Sequence, residues 1–122
     1  MKIKTLNTSG FTLVEIMIVV AIIGLLAGIA LPNFVHARSV SQANACINNL
    51  RQMDGAVQAW ALENKKASTA PYTMSVIMPY LKLDSNGNIP GCPANGVYSA
   101  GATVTNPPTC SLGSGNPAHS LP

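Results

Sequence analysis

The residues of this 122-residue chain with most capacity for chemistry are three cysteines and two histidines. Cys92 and Cys110 enclose 17 residues in a stretch rich in proline and glycine. Thiols so placed can close a disulfide, which contributes ~3 kcal/mol by the chain-entropy estimate, a large share for a small domain. The same pair with His119, and with Cys46 as a fourth ligand, offers the alternative of a metal site. Their spacing follows none of the common zinc patterns. The expected arrangement is therefore a Cys92–Cys110 disulfide and no metal, with Cys46 a small buried apolar residue beside Leu50 and Met53.

Other chemistry is thinly represented. Asp84, Asn86 and Asn88 could present oxygens to Ca²⁺, but the glycine of this run stands at its fourth place and no distal glutamate follows as an EF-hand loop requires. A plain turn is the expected reading. His36 and His119 are far apart in sequence, and no Ser/His/Asp, Cys/His or paired-carboxylate arrangement suggests itself, so a non-enzyme is expected. Only 9% of the residues are charged, and the net charge is +3. Without a cluster of Lys and Arg on one face, no nucleic-acid partner is expected.

The remaining acid worth a question is Glu15. From Phe11 to Leu31 the chain holds 21 consecutive residues with this one charge, and at ~1.5 Å per residue a helix of that length crosses the ~30 Å hydrocarbon layer. Lys2 and Lys4 precede it without an acid, which places the N-terminus in the cytoplasm and everything beyond Leu31 outside. In the first turns of a helix a carboxylate interacts favourably with the dipole. Gly24, Gly28 and Pro32 follow at four-residue intervals. They present either a close-contact stripe for a second helix or a built-in weak segment, since two glycines and a proline each cost helix stability.

These residues need elements to hold them. Val40, Ala43, Ile47, Leu50, Met53 or Asp54, Val57 and Trp60 or Ala61 recur at spacings of three and four, the period of an amphipathic helix. One long helix is expected over residues 11–66, with a weak point at Pro32, whose ring crowds the carbonyl of Gly28. Lys65 and Lys66 suit its C-terminus. Eight of nine prolines and six of ten glycines lie beyond residue 70, which excludes long helices there. Met74–Met78 reads as a short helical turn. Val97–Ala100 and Ala102–Thr105 read as two strands about Gly101, with Thr109–Leu112 a possible third. So small a head must pack on the helix, because alone it buries too little surface.

Gly10-Phe11-Thr12-Leu13-Val14-Glu15 followed by about twenty apolar residues resembles the class III signal of type IV prepilins and type II secretion pseudopilins. The similarity continues through Ala30-Leu31-Pro32-Asn33. The segments Cys92-Pro-Ala-Asn-Gly96-Val-Tyr98 and Pro108-Thr-Cys110-Ser111 are also similar to parts of some pseudopilin-like proteins. The resemblance implies an α+β, pilin-like fold: a long N-terminal α-helix, transmembrane in its first half and amphipathic in its second, packed against a small antiparallel β-sheet head closed by a disulfide. The implied organisation is a leader peptide over 1–10, a transmembrane and filament-core helix over 11–31, a helical spine over 32–66 and a head over 67–122.

The function implied is that of a structural subunit. A prepilin peptidase would cut between Gly10 and Phe11 and N-methylate the new amine of Phe11, and Glu15 of one subunit would meet the Phe11 amine of a neighbour. The implied partners are copies of the chain in a helical filament, the peptidase, an inner-membrane assembly platform, minor pseudopilins and, before assembly, membrane lipid. The implied location is the bacterial inner membrane, then a periplasmic or cell-surface filament. Gly24, Gly28 and Pro32 match the place where such helices unwind. Two rivals stand beside this reading: a single-span anchored periplasmic binding module that does not polymerise, and a DNA-uptake pseudopilus subunit. Residues shared by all these filaments leave surface pilus, secretion pseudopilus and competence pseudopilus open.

Overall fold

The computed structural model describes residues 2–5 and 7–122. Positions 1 and 6 of the expected leader lie outside the described residues. The chain divides into two units, residues 1–36 and 37–122. A single helix, α1, is continuous over Leu13–Glu63 with Pro32 inside it. Among the described residues it is the one helix long and apolar enough to cross a membrane.

In the first unit, the described residues before Leu13 have no regular secondary structure. All the large apolar side chains from Leu13 to Leu31 are at least half exposed, Ile16 least at 50% and Leu13 most at 76%. They occupy nearly every position, so no face of this helix is polar. A helix apolar all round requires apolar surroundings on every side.

In the second unit, α1 becomes one-sided, burying Ala43, Cys46, Leu50, Met53, Ala56, Val57 and Ala61. The face is close to the expected one: Cys46 is buried as expected, whereas Val40 and Ile47 are only half-buried and Ala56 joins the buried set. Cys46 stands four residues before Leu50 and three after Ala43, and Ile47 lies ~100° further round the helix. Met53 and Ala61 take the buried positions, leaving Asp54 and Trp60 at the margins.

The helix stops earlier than residue 66 because its end is tied off. Lys65 adopts a left-handed conformation at φ 51°. The Lys66 amide donates to the Ala61 carbonyl at 2.8 Å and the Lys65 amide to Leu62 at 3.3 Å. This double bond pattern is the Schellman motif, with lysine where glycine is usual.

The rest of the second unit is short elements and turns. Helix α2 spans Met74–Ile77 and runs into a 3-10 turn over Met78–Tyr80. Strand β1, Tyr98–Ser99, pairs antiparallel with β2, Thr109–Cys110, so that Tyr98 stands opposite Cys110. The expected hairpin about Gly101 does not form, and the third candidate supplies the partner strand. The Val104 and Thr105 amides instead donate to the carbonyls of Ala70 and Ser68, at 3.0 and 3.2 Å. Gly101 approaches Asn106 so closely that a Cβ there would lie 1.9 Å from the Asn106 carbonyl oxygen. The Tyr72 hydroxyl fixes this loop, accepting from the Gly101 amide at 2.8 Å and donating to the Asn106 carbonyl at 3.0 Å. Burial pushes the Tyr72 phenol above its ordinary range.

Where the head's backbone lacks ladder partners, side-chain amides from α1 reach its carbonyls. Gln42 donates to Pro93, Asn49 to Gly91 and Gln58 to Val104, at 3.4, 3.5 and 3.1 Å. Buried backbone groups must find partners, and a loop-rich head finds some of them on the helix. The core joins Leu50, Met53 and Val57 to Tyr72, Ile77, Val104 and the cysteines.

Candidate functional site

Two groups of residues stand out, one in each unit. In the first, Thr12 and Glu15 form a reciprocal cap at the start of α1. The Thr12 amide donates to Glu15 Oε2 at 2.7 Å, and the Glu15 amide donates to Thr12 Oγ1 at 3.2 Å. Two amide donors at the helix start are thereby satisfied by a capping box, S/T-x-x-E. This arrangement explains why α1 begins at Leu13 rather than Phe11. The sequence signal for it, threonine three residues before glutamate at the head of an apolar run, was there to be used.

Phe11 beside this cap is 85% exposed, and Gly10 is exposed in the preceding stretch without secondary structure. A peptide bond between two such residues is open to an enzyme. Gly24, Gly28 and Pro32 all lie within helical turns. A Cβ added at Gly24 or Gly28 would meet nothing within 4 Å. Among the described residues, no contact calls for the small size of those two.

In the second unit, the three cysteines and one histidine converge. The sulfurs of Cys46, Cys92 and Cys110 and a ring nitrogen of His119 lie within 4.8 Å of one another. All four residues are buried, and the three cysteines are free thiols. Cys46 comes from the buried face of α1, Cys92 from the turn before β1, Cys110 from β2 and His119 from the C-terminal tail. Cys92 Sγ stands 3.4 Å from His119 Nδ1. The sequence expectation of a Cys92–Cys110 disulfide concerns two of these thiols; Cys46 and His119 are brought to the same point.

The surroundings of the sulfurs are polar where it matters. Asn49 Nδ2 donates to the Tyr98 hydroxyl at 3.1 Å, and that hydroxyl neighbours Cys46. Burial pushes the Cys46 thiol well up, and pushes the Tyr98 phenol up as well. Burial acts on Cys92 in the same direction, but hydrogen bonds from the Ala94 amide, the Cys46 thiol, the Gly96 amide and His119 outweigh it and hold its thiol below the usual range. Gly96 lies against the sulfurs: a Cβ there would sit 2.5 Å from Cys110 Sγ and 3.2 Å from Cys92 Sγ. Only a residue without a side chain lets the backbone pass so close.

Asp84 is occupied with its own turn. Its Oδ1 accepts from the amides of Asn86 and Asn88 at 2.8 and 2.9 Å, and Gly87 takes the left-handed conformation at φ 77° that the turn needs.

Residues 6–31 match the family model for the prokaryotic N-terminal methylation motif. Over 112 residues the chain is 36% identical to the type IV major fimbrial protein FimA of Dichelobacter nodosus, a match that covers 85% of this chain and 70% of that relative. The chain belongs to the type IV pilin and pseudopilin family. Other similarities are more local. The type IV major pilin protein PilA of Myxococcus xanthus is 44% identical over 59 residues, 48% of this chain and 27% of its own length. The type II secretion system core protein G of Klebsiella pneumoniae is 29% identical over 69 residues, 57% of this chain and 49% of its own. No solved structure matches.

The methylation motif of this pilin-family chain contains Gly10, Phe11, the Thr12–Glu15 cap and the apolar stretch to Leu31. The sulfur cluster lies wholly outside it.

Proposed function

We propose that the chain is the precursor of a filament subunit, held in the inner membrane by residues 11–31 with Lys2 and Lys4 on the cytoplasmic side. A prepilin peptidase removes residues 1–10 and N-methylates Phe11. An assembly platform then draws the subunit out of the lipid into a helical homopolymer begun by minor pseudopilins. The chain catalyses no reaction in this reading, and its work is contact between copies. The match to a major fimbrial protein over most of the chain supports a filament of the type IV pilus kind, with the secretion pseudopilus as its near relation.

One observation carries the reading: a helix whose large apolar side chains from Leu13 to Leu31 are all at least half exposed, with a carboxylate in its first turn. Lipid satisfies the apolar surface but not the charge. Within its own chain Glu15 holds the Thr12 amide, a neutral partner. Cleavage creates a cationic amine at Phe11, and the corresponding amine of a neighbouring copy is a partner of opposite charge. A charge in apolar surroundings costs several kcal/mol unless paired, so the paired register is favoured over every other. Gly24, Gly28 and Pro32 lower the cost of unwinding the helix between the two environments. Residues 32–66 then form the spine that carries the head, residues 67–122, at the filament surface.

Mass spectrometry of the N-terminus tests the processing step. The expected species begins at a singly methylated Phe11, and Gly10→Trp leaves the precursor at full length. A wild-type protein that retains Met1 in the membrane fraction contradicts the reading and leaves the anchored binding module in its place.

A further inference from the structure

We propose that Cys46, Cys92, Cys110 and His119 are the four ligands of a tetrahedral zinc(II) ion that ties the head to the spine helix. The inference rests on the second unit alone and is independent of filament assembly. A tetrahedral centre with Zn–S of about 2.3 Å and Zn–N of about 2.0–2.1 Å separates its ligand atoms by about 3.6–3.8 Å. The four atoms already stand within 4.8 Å of one another, and Cys92 Sγ and His119 Nδ1 at 3.4 Å. Closing the set around an ion requires shifts of about 1 Å at most.

The composition of the cluster favours a metal over a disulfide. Every cysteine of the chain and one of its two histidines are gathered there. A disulfide between any two sulfurs leaves the third thiol and the imidazole in the same buried space without a role. A zinc ion uses all four, and three sulfurs with one nitrogen in a closed, buried shell is a common structural zinc set. On binding, the three thiols release their protons to solvent and His119 coordinates as the neutral ring through Nδ1, so the site carries one net negative charge.

That charge meets donors already in place. The Ala94 and Gly96 amides lie beside the Cys92 sulfur and favour a charged sulfur there. Asn49 donates to the Tyr98 hydroxyl, which leaves that hydroxyl's own proton available to the neighbouring Cys46 sulfur. Groups that donate to ligating atoms orient them and stabilise the bound form. The ion would connect four segments distant in sequence: α1, the turn after Ile89, β2 and the tail. A head with one two-residue strand pair lacks any other staple of that reach.

The test uses the full chain, extracted in detergent from membranes without reductant or chelator. Elemental analysis is expected to give about one zinc per chain, and alkylation under denaturing conditions is expected to label all three cysteines. Loading chelated protein with Co(II) is expected to give the intense visible bands and sulfur-to-metal charge transfer of a tetrahedral thiolate site. His119→Ala is expected to lose its zinc to a chromophoric chelator that leaves the wild type loaded, while His119→Cys keeps the ion and shifts the Co(II) spectrum toward four sulfurs. Zinc-free protein with Cys92 linked to Cys110 and only Cys46 alkylated overturns the proposal. So does protein with three free thiols that takes up neither zinc nor cobalt, or one isolated with copper or iron in the site.

Discussion

The two units of this chain solve the problem of burying apolar surface in opposite ways. From Leu13 to Leu31 the side chains are almost uniformly apolar and all the large ones are exposed, so this segment's stability is deferred to whatever surrounds it. From Ala37 onward the buried set is small, chiefly Leu50, Met53, Val57, Tyr72, Ile77 and Val104 with the cysteines, and much of the rest is polar contact between α1 and loops. The first arrangement suits a helix that changes surroundings, because its large apolar side chains are exposed rather than packed within the chain. The second suits a head that keeps one shape throughout, because each of its few contacts is specific.

That contrast is sharpest in the core. Leu50→Ala is expected to cost the second unit about 3 kcal/mol, since Leu50 is fully buried and its loss leaves a cavity. Leu25→Ala, at a position 69% exposed, is expected to change the same unfolding curve by less than about 0.5 kcal/mol. Denaturant titration of the detergent-solubilised chain, followed by the fluorescence of its single tryptophan, Trp60, compares the two directly. Equal effects would erase the distinction between the units.

The polar clamps come next. Tyr72→Phe keeps the ring but strands the Gly101 amide and the Asn106 carbonyl that the hydroxyl joins. The expected loss is about 2 kcal/mol, the penalty of part-buried groups left without partners. Hydrogen exchange at Gly101 should rise while exchange in α1 does not. The smallest effect has the opposite sign. Lys65 holds a left-handed conformation that glycine adopts without strain, so Lys65→Gly is expected to raise stability by about 1 kcal/mol in the same titration.

Much of α1 was legible because its signals are local. The apolar run sets the first half, spacings of three and four set the second, and the buried face departs from that pattern only at Val40, Ile47 and Ala56. The sheet was less so. Three short segments of similar composition competed for one pairing, and the choice turned on the close passage of Gly101 by Asn106 and on the capture of Val104 and Thr105 by Ala70 and Ser68. The sulfur cluster was legible as ingredients only. Cys46 on a helix and His119 in a tail have no sequence relation to Cys92 and Cys110, and the fold alone brings them within 4.8 Å.

The pairing of Glu15 across subunits is the central claim, and filament yield from Glu15→Val tests it most directly. Valine removes the charge while leaving Gly10 and Phe11 intact. Electron microscopy of a sheared surface fraction, labelled for this subunit, is expected to show filaments from the wild type and none from the variant, whose processed chains accumulate in the membrane. Filaments from Glu15→Val at wild-type yield would contradict the account.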